Sequence, residues 1–120
     1  MKSFLLVFLG GGVGSGVRYL ISNAMNNYSK LIPFGTFFVN MLGCLLIGII
    51  ISYSQKENTF SDNQILLLAT GFCGGFTTFS AFANENLLFL KNGEILNFII
   101  YISLSIVVGL LCVFTGYMIK

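Results

Sequence analysis

Asn40 stands inside a run of apolar residues, with Thr36 one helical turn before it. Residues four apart share one face of a helix, so the two side chains would point the same way. An asparagine amide offers two N–H donors and one acceptor, and a threonine adds a hydroxyl. Tyr101 and Ser105 repeat this spacing in a later apolar run, and Gly109 continues the stripe. Between them lies "GFCGGFTTFSAF", residues 71–82, with three glycines, two adjacent threonines and four phenylalanines. Two of those rings, Phe79 and Phe82, are three apart and share a face. Aromatic ring edges are electropositive. Amide, hydroxyls and ring edges together are donors without a formal charge. Such a set suits an anion or a neutral polar solute, whose water a pore must replace with donors it can also release.

Each of these residues also has a plainer reading. An asparagine can bond two membrane helices together, a serine hydroxyl can bond back to its own helix, and a pair of phenylalanines can simply pack. Arg18 either snorkels to a membrane interface or draws anions to a pore mouth. Glu85 either lines a vestibule or sits at a solvated helix end. With Glu85 read in this way, no carboxylate stands at mid-membrane, so a proton-coupled exchanger lacks its titratable group.

Residues 71–82 also raise a backbone question. Gly71, Gly74 and Gly75 each loosen a helix by up to about 1 kcal/mol, and Thr77 and Thr78 are β-branched and able to bond the backbone. Together they predict an unwound turn at mid-span. Unwound backbone at membrane depth must be buried in protein or line a cavity. Its freed carbonyls need partners, and a cation is one natural partner.

The elements that must hold these residues follow from composition. The chain has 120 residues, of which 56% are hydrophobic and 8% charged. A soluble domain carries about 25% charged residues, so this chain is read as a single four-helix membrane domain, residues 1–120. A span needs about 20 mostly apolar residues. Four stretches qualify: 4–25, 34–53, 64–89 and 96–119. Backbone in lipid must satisfy itself, which makes the spans helices and the fold class all-α. The first stretch has the look of a signal peptide, but three more spans follow, and it is read as a retained span. A net charge of +2 with no basic run gives no footing for nucleic acid. Histidine is absent, and with no paired carboxylates or activated nucleophile an enzyme is a poor candidate. Cys44, Cys73 and Cys112 sit singly in apolar stretches and read as small packing residues.

Four helices put both termini on one side, together with Lys2, Lys56 and Lys120. Lys30 and Lys91 fall on the other side, joined by Arg18 if it faces that way. Orientation follows such a bias, and here there is none. Either the rule is weak on so few charges, or the chain inserts both ways and pairs with an inverted copy. Glycines at spacing four, Gly10 and Gly14, Gly12 and Gly16, Gly71 and Gly75, suit close helix contacts. Gly48 and Gly116 are read as glycines that are merely common in membrane helices. A bundle this short has little interior, so a continuous polar path belongs between subunits.

"GGGVGSGVRY", "GTFFVNMLGCLLIG" and "GFCGGFTTFSAF", in this order in a four-span chain, closely resemble the small fluoride channels of the CrcB/Fluc family. The resemblance covers essentially the whole chain, and the last motif is the most specific. It implies a fluoride-selective channel that exports toxic cytoplasmic fluoride from the inner (plasma) membrane. It implies an antiparallel, dual-topology dimer with two pores, formed with an identical or a related, oppositely oriented chain. A structural sodium ion would lie at the dimer centre, held by backbone carbonyls matching Gly74 and Thr77 of both subunits. Phe79 and Phe82 match the rings flanking the fluoride path, Asn40 the pore asparagine, and Tyr101 and Ser105 the polar track of the last helix. Arg18 matches the arginine near the vestibule. Thr36, on the Asn40 face, joins the path on its spacing alone. Two departures stand out: Gly109 replaces a second hydroxyl of some relatives, and Ala81 replaces a threonine. A multidrug-type exporter would need a carboxylate in the first helix, where this chain has glycines. A non-transporting scaffold subunit would explain the glycines but not the break beside Asn40.

Overall fold

The computed structural model describes residues 1–27, 29 and 31–119. Lys30 and Lys120 of the charge balance lie outside them. Four stretches are long and apolar enough to cross a membrane: Lys2–Met25, Phe34–Glu57, Asp62–Lys91 and Ile95–Met118. Three are continuous helices, α1 (Lys2–Met25), α2 (Phe34–Glu57) and α6 (Ile95–Met118), each of 24 residues. At 1.5 Å per residue such a helix is about 36 Å long, enough for a bilayer core of about 30 Å. The second helix runs about one turn beyond the predicted end at residue 53. Its stop is Asn58, in the left-handed conformation at φ 52° with its N–H on the Tyr53 carbonyl.

The third stretch is composite. Ser61 opens α3 (Asp62–Ile65) with a capping box, its hydroxyl accepting from the Gln64 N–H. A π-helical stretch follows over Leu66–Cys73, then the short α4 (Gly74–Phe76). Thr77 and Thr78 are extended, with ψ of 155° and 119°. Thr78 then caps α5 (Phe79–Lys91), accepting from the Ala81 N–H at 3.2 Å. The stretch is therefore interrupted at residues 77–78, more narrowly than the glycines led one to expect. Gly71, Gly74 and Gly75 stay helical, and only the two threonines unwind.

The glycines serve packing instead. A Cβ on Gly75 would meet the Gly11 Cα at 2.9 Å, and one on Gly14 would meet the Phe76 N at 2.9 Å. One on Gly71 would meet the Gly10 Cα at 3.1 Å. Real Cβ atoms essentially never come within 3.0 Å of such atoms and seldom as near as 3.1 Å, so α1 and the π–α4 stretch meet backbone to backbone because both surfaces lack Cβ atoms. The plain reading of Gly48 and Gly116 is corrected on the same ground. A Cβ on either would strike the opposite backbone: Gly48 abuts Val113 and Tyr117, and Gly116 abuts Leu45 and Ile49. These two glycines form the crossing of α2 and α6. Gly12 and Gly16, in contrast, have no neighbour within 4 Å of a built Cβ.

The interior is small: Val39, Phe76 and Tyr101 are buried, with Thr36 and Ser52 among them. Large apolar side chains such as Phe4, Phe8, Leu110 and Phe114 lie outside, as a helix set solvated by lipid requires.

Candidate functional site at the helix break

The break exists because its backbone groups have partners other than their own helix. The Thr78 N–H donates to Asn40 Oδ1 at 2.7 Å, and Asn40 Nδ2 donates to the Thr78 carbonyl at 3.1 Å. Asn40 thus replaces a helical turn with a two-point bracket from α2. Its second N–H remains for another acceptor. Upstream, Thr77 folds back: its N–H and its hydroxyl both donate to the Cys73 carbonyl, at 3.0 and 2.9 Å. The Gly75 carbonyl accepts from Arg18 Nε at 3.0 Å and from Ser15 Oγ at 3.3 Å.

The Gly74 and Thr77 carbonyls are among those that lose their helical donors in this arrangement. The Thr78 N–H, four residues beyond Gly74, goes to Asn40. The Ala81 N–H, four residues beyond Thr77, goes to the Thr78 hydroxyl. Gly74 and Thr77 both line a cavity of about 470 Å³ beside the break. Neutral carbonyl oxygens without a helical donor are hard ligands, of the kind a hard cation takes.

That cavity gathers most of the residues singled out in the sequence. Asn40, Ser105, Phe79 and Phe82 line it with Gly74 and Thr77. The two rings lie 5.8 Å apart, and Phe79 is 79% exposed in the single chain. A second cavity of about 210 Å³ is lined by Arg18, Thr36 and Glu85, together with Asn23 and Asn26. Thr78 borders both cavities.

Thr36 and Tyr101 are placed together, and on Glu85. The Thr36 hydroxyl donates to Glu85 Oε2 at 2.7 Å, and the Tyr101 hydroxyl donates to Oε1 at 2.9 Å. Both donors are fully enclosed, and Glu85 is half-buried. Glu85 is therefore a held carboxylate facing the smaller cavity, and the solvated-helix-end reading is corrected. The separation of the pairs follows from the fold, since Thr36 and Asn40 share α2 but α5 starts at Phe79 and carries Glu85 past the first of them. Tyr101 also packs on Phe82, with ring centroids 5.0 Å apart, so the aromatic pair and the carboxylate share one support.

Sequence reasoning placed Thr78 in the unwound turn but not as the cap of α5 or the partner of Asn40, and it missed Ser15. Thr78 bears the usual mark of a helix start, a threonine just before an apolar run. Ser15 carries no such mark within its glycine cluster.

A family model described as CrcB-like protein, Camphor Resistance (CrcB), matches residues 5–117. The chain belongs to the CrcB family. Its relatives are alike along their whole length. A protein of Flavobacterium psychrophilum named fluoride-specific ion channel FluC is 46% identical over 120 residues, 99% of this chain and 97% of that protein. Proteins of the same name from Phocaeicola vulgatus and Bacteroides fragilis are 47% and 48% identical. These alignments cover 97% of this chain in each case, and 96% and 94% of the two relatives.

Proposed function

We propose that this chain is a fluoride-selective channel of the plasma membrane, a channel and not an enzyme, which lets toxic cytoplasmic fluoride out of the cell. The observation that carries this reading is the meeting of Asn40, Ser105, Phe79 and Phe82 on one cavity beside the break, in a chain 46% identical to a named fluoride channel. Fluoride is small and holds its water strongly. The free N–H of Asn40, the Ser105 hydroxyl and the ring edges are donors that replace this water without a cationic trap. Arg18 and Glu85 border the vestibule, and Thr36 and Tyr101 form its wall by holding Glu85.

The working unit is an antiparallel dimer with two pores, the break lying at mid-membrane. Its support is the balanced lysine and arginine count and the exposed Phe79, which a second copy would cover. A structural sodium ion would be held at the dimer centre by the Gly74 and Thr77 carbonyls of both copies. When bound, it supplies positive charge that ties the two breaks together and is not transported.

The test is efflux from liposomes holding only this purified protein, read with a fluoride electrode and with chloride as the control. Rapid fluoride efflux with retained chloride is expected. Equal loss of both ions, or no fluoride efflux, would remove the reading.

A further inference from the structure

Arg18 borders the smaller cavity, and a guanidinium beside an anion path suggests an attractor. Its hydrogen bond points elsewhere. Arg18 Nε donates to the Gly75 carbonyl at 3.0 Å, and Ser15 Oγ, almost one turn earlier on α1, donates to the same oxygen at 3.3 Å. Gly75 lies in the last turn before the break, where a helix leaves its carbonyls without donors and carries partial negative charge. A guanidinium is matched to that end in both hydrogen bonding and charge. The approach depends on glycine, because a Cβ on Gly75 would meet the Gly11 Cα at 2.9 Å and push α1 away. Asn40 holds the other side of the break through Thr78. The extended residues are thus held from α1 on one side, through Gly75, and from α2 on the other, through Thr78.

We infer that Arg18 is a positioning residue, which with Ser15 fixes the end of α4 through the Gly75 carbonyl and so sets the geometry of the break, instead of concentrating anions at the vestibule. This role presupposes that fluoride passes beside the break. It makes the directional Nε–H the essential feature, and a point charge on a flexible stem does not reproduce it.

The experiment compares Arg18→Lys, Arg18→Gln and Ser15→Ala in the full-length protein. Fluoride efflux is measured at low and at high fluoride. Hydrogen–deuterium exchange is followed for the peptide 76–82, with a peptide of α6 as reference. Both Arg18 variants are expected to lose efflux by about tenfold or more, the scale of one charge-assisted hydrogen bond. The loss should be equal at both concentrations, and exchange should quicken over 76–82 alone. Ser15→Ala is expected to quicken the same amides with an efflux loss of about two- to fivefold, as for a neutral bond. It decides the matter if the Arg18 variants do not assemble. Efflux retained in Arg18→Lys, or a loss confined to low fluoride, would overturn the role in favour of charge attraction. Unchanged exchange over 76–82 in the assembled variants would overturn it as well. If the unaltered protein carries no fluoride, the channel reading fails, and the exchange measurements still decide whether Arg18 and Ser15 hold the break.

Discussion

The side-chain amide of Asn40 and the backbone of Thr78 exchange two hydrogen bonds, N–H to Oδ1 at 2.7 Å and Nδ2 to carbonyl at 3.1 Å. One residue of α2 therefore maintains an interruption in another helix 38 positions away in the chain. Asn40→Asp keeps the acceptor and loses the donor, and it adds a negative charge beside the proposed anion path. A like charge in a poorly solvated anion path repels the ion strongly, so fluoride efflux should fall by about 100-fold or more. Size-exclusion chromatography should still show the assembled protein. Efflux at the unaltered rate would take Asn40 out of the path.

The glycine contacts predict a contrast on one helix. Gly14→Ala places a Cβ against the Phe72 carbonyl and the Phe76 N, and should cost about 1–3 kcal/mol as overpacking. Gly116→Ala should cost as much at the α2–α6 crossing. Gly12→Ala meets no neighbour within 4 Å in the protomer, and should be neutral or stabilise by up to about 1 kcal/mol through helix propensity. Denaturant unfolding in detergent measures all three. A Gly12→Ala variant as damaged as Gly14→Ala would mean that a second chain packs on that face.

The Glu85 carboxylate accepts one hydroxyl on each oxygen, from Thr36 and from Tyr101. Thr36→Val and Tyr101→Phe should each cost about 1–3 kcal/mol by leaving a buried oxygen unpaired. In a Glu85→Gln background the amide keeps one oxygen acceptor and turns an NH2 donor to the other hydroxyl, so the costs of the two substitutions should change. The expected coupling is about 0.5–3 kcal/mol in a double-mutant cycle read by thermal unfolding. Strictly additive costs would mean that the hydroxyls do not act through Glu85.

The proposed sodium is bound by backbone, which separates side-chain substitutions by their bulk. Thr77→Ser keeps the hydroxyl that folds back on Cys73 and should be mild. Gly74 is helical at φ −62° and has no neighbour within 4 Å of a built Cβ. Gly74→Val should therefore leave the protomer folded and act on the cavity and on assembly. Replacing sodium by a large organic cation should lower both the melting temperature and the fluoride efflux, since a ligand of the folded state stabilises it by mass action. Two unchanged readouts after long exchange would rule out a cation at these carbonyls.

Dual topology is checked most directly. A reporter fused to the C-terminus should be found on both sides of the membrane in comparable amounts, because the charges that set orientation are balanced. A reporter confined to one side would point to an oppositely oriented partner chain.

Much of this protein was legible in its residues one stretch at a time. The four spans follow from apolar length, and the break follows from Thr77 and Thr78 in a glycine-rich run. Asn40 and Ser105, which line the larger cavity, stand out as uncharged donors where lipid would favour none. These are local properties, because hydrophobicity, β-branching and hydrogen-bond capacity are carried by each residue into any fold. What only the tertiary structure decided was the partner of each group. It put Arg18 on a carbonyl of the third stretch, Thr36 and Tyr101 on Glu85, and Gly48 against α6. It also kept Gly71, Gly74 and Gly75 helical. Such pairings depend on the rotation and crossing of helices far apart in the chain. The π-helical stretch Leu66–Cys73 shifts that rotation just before the break, since a bond spanning five residues re-aims every side chain after it. Spacing along the chain tells which residues share a face; which face meets α1 and which meets the cavity is set by backbone contact at the glycines.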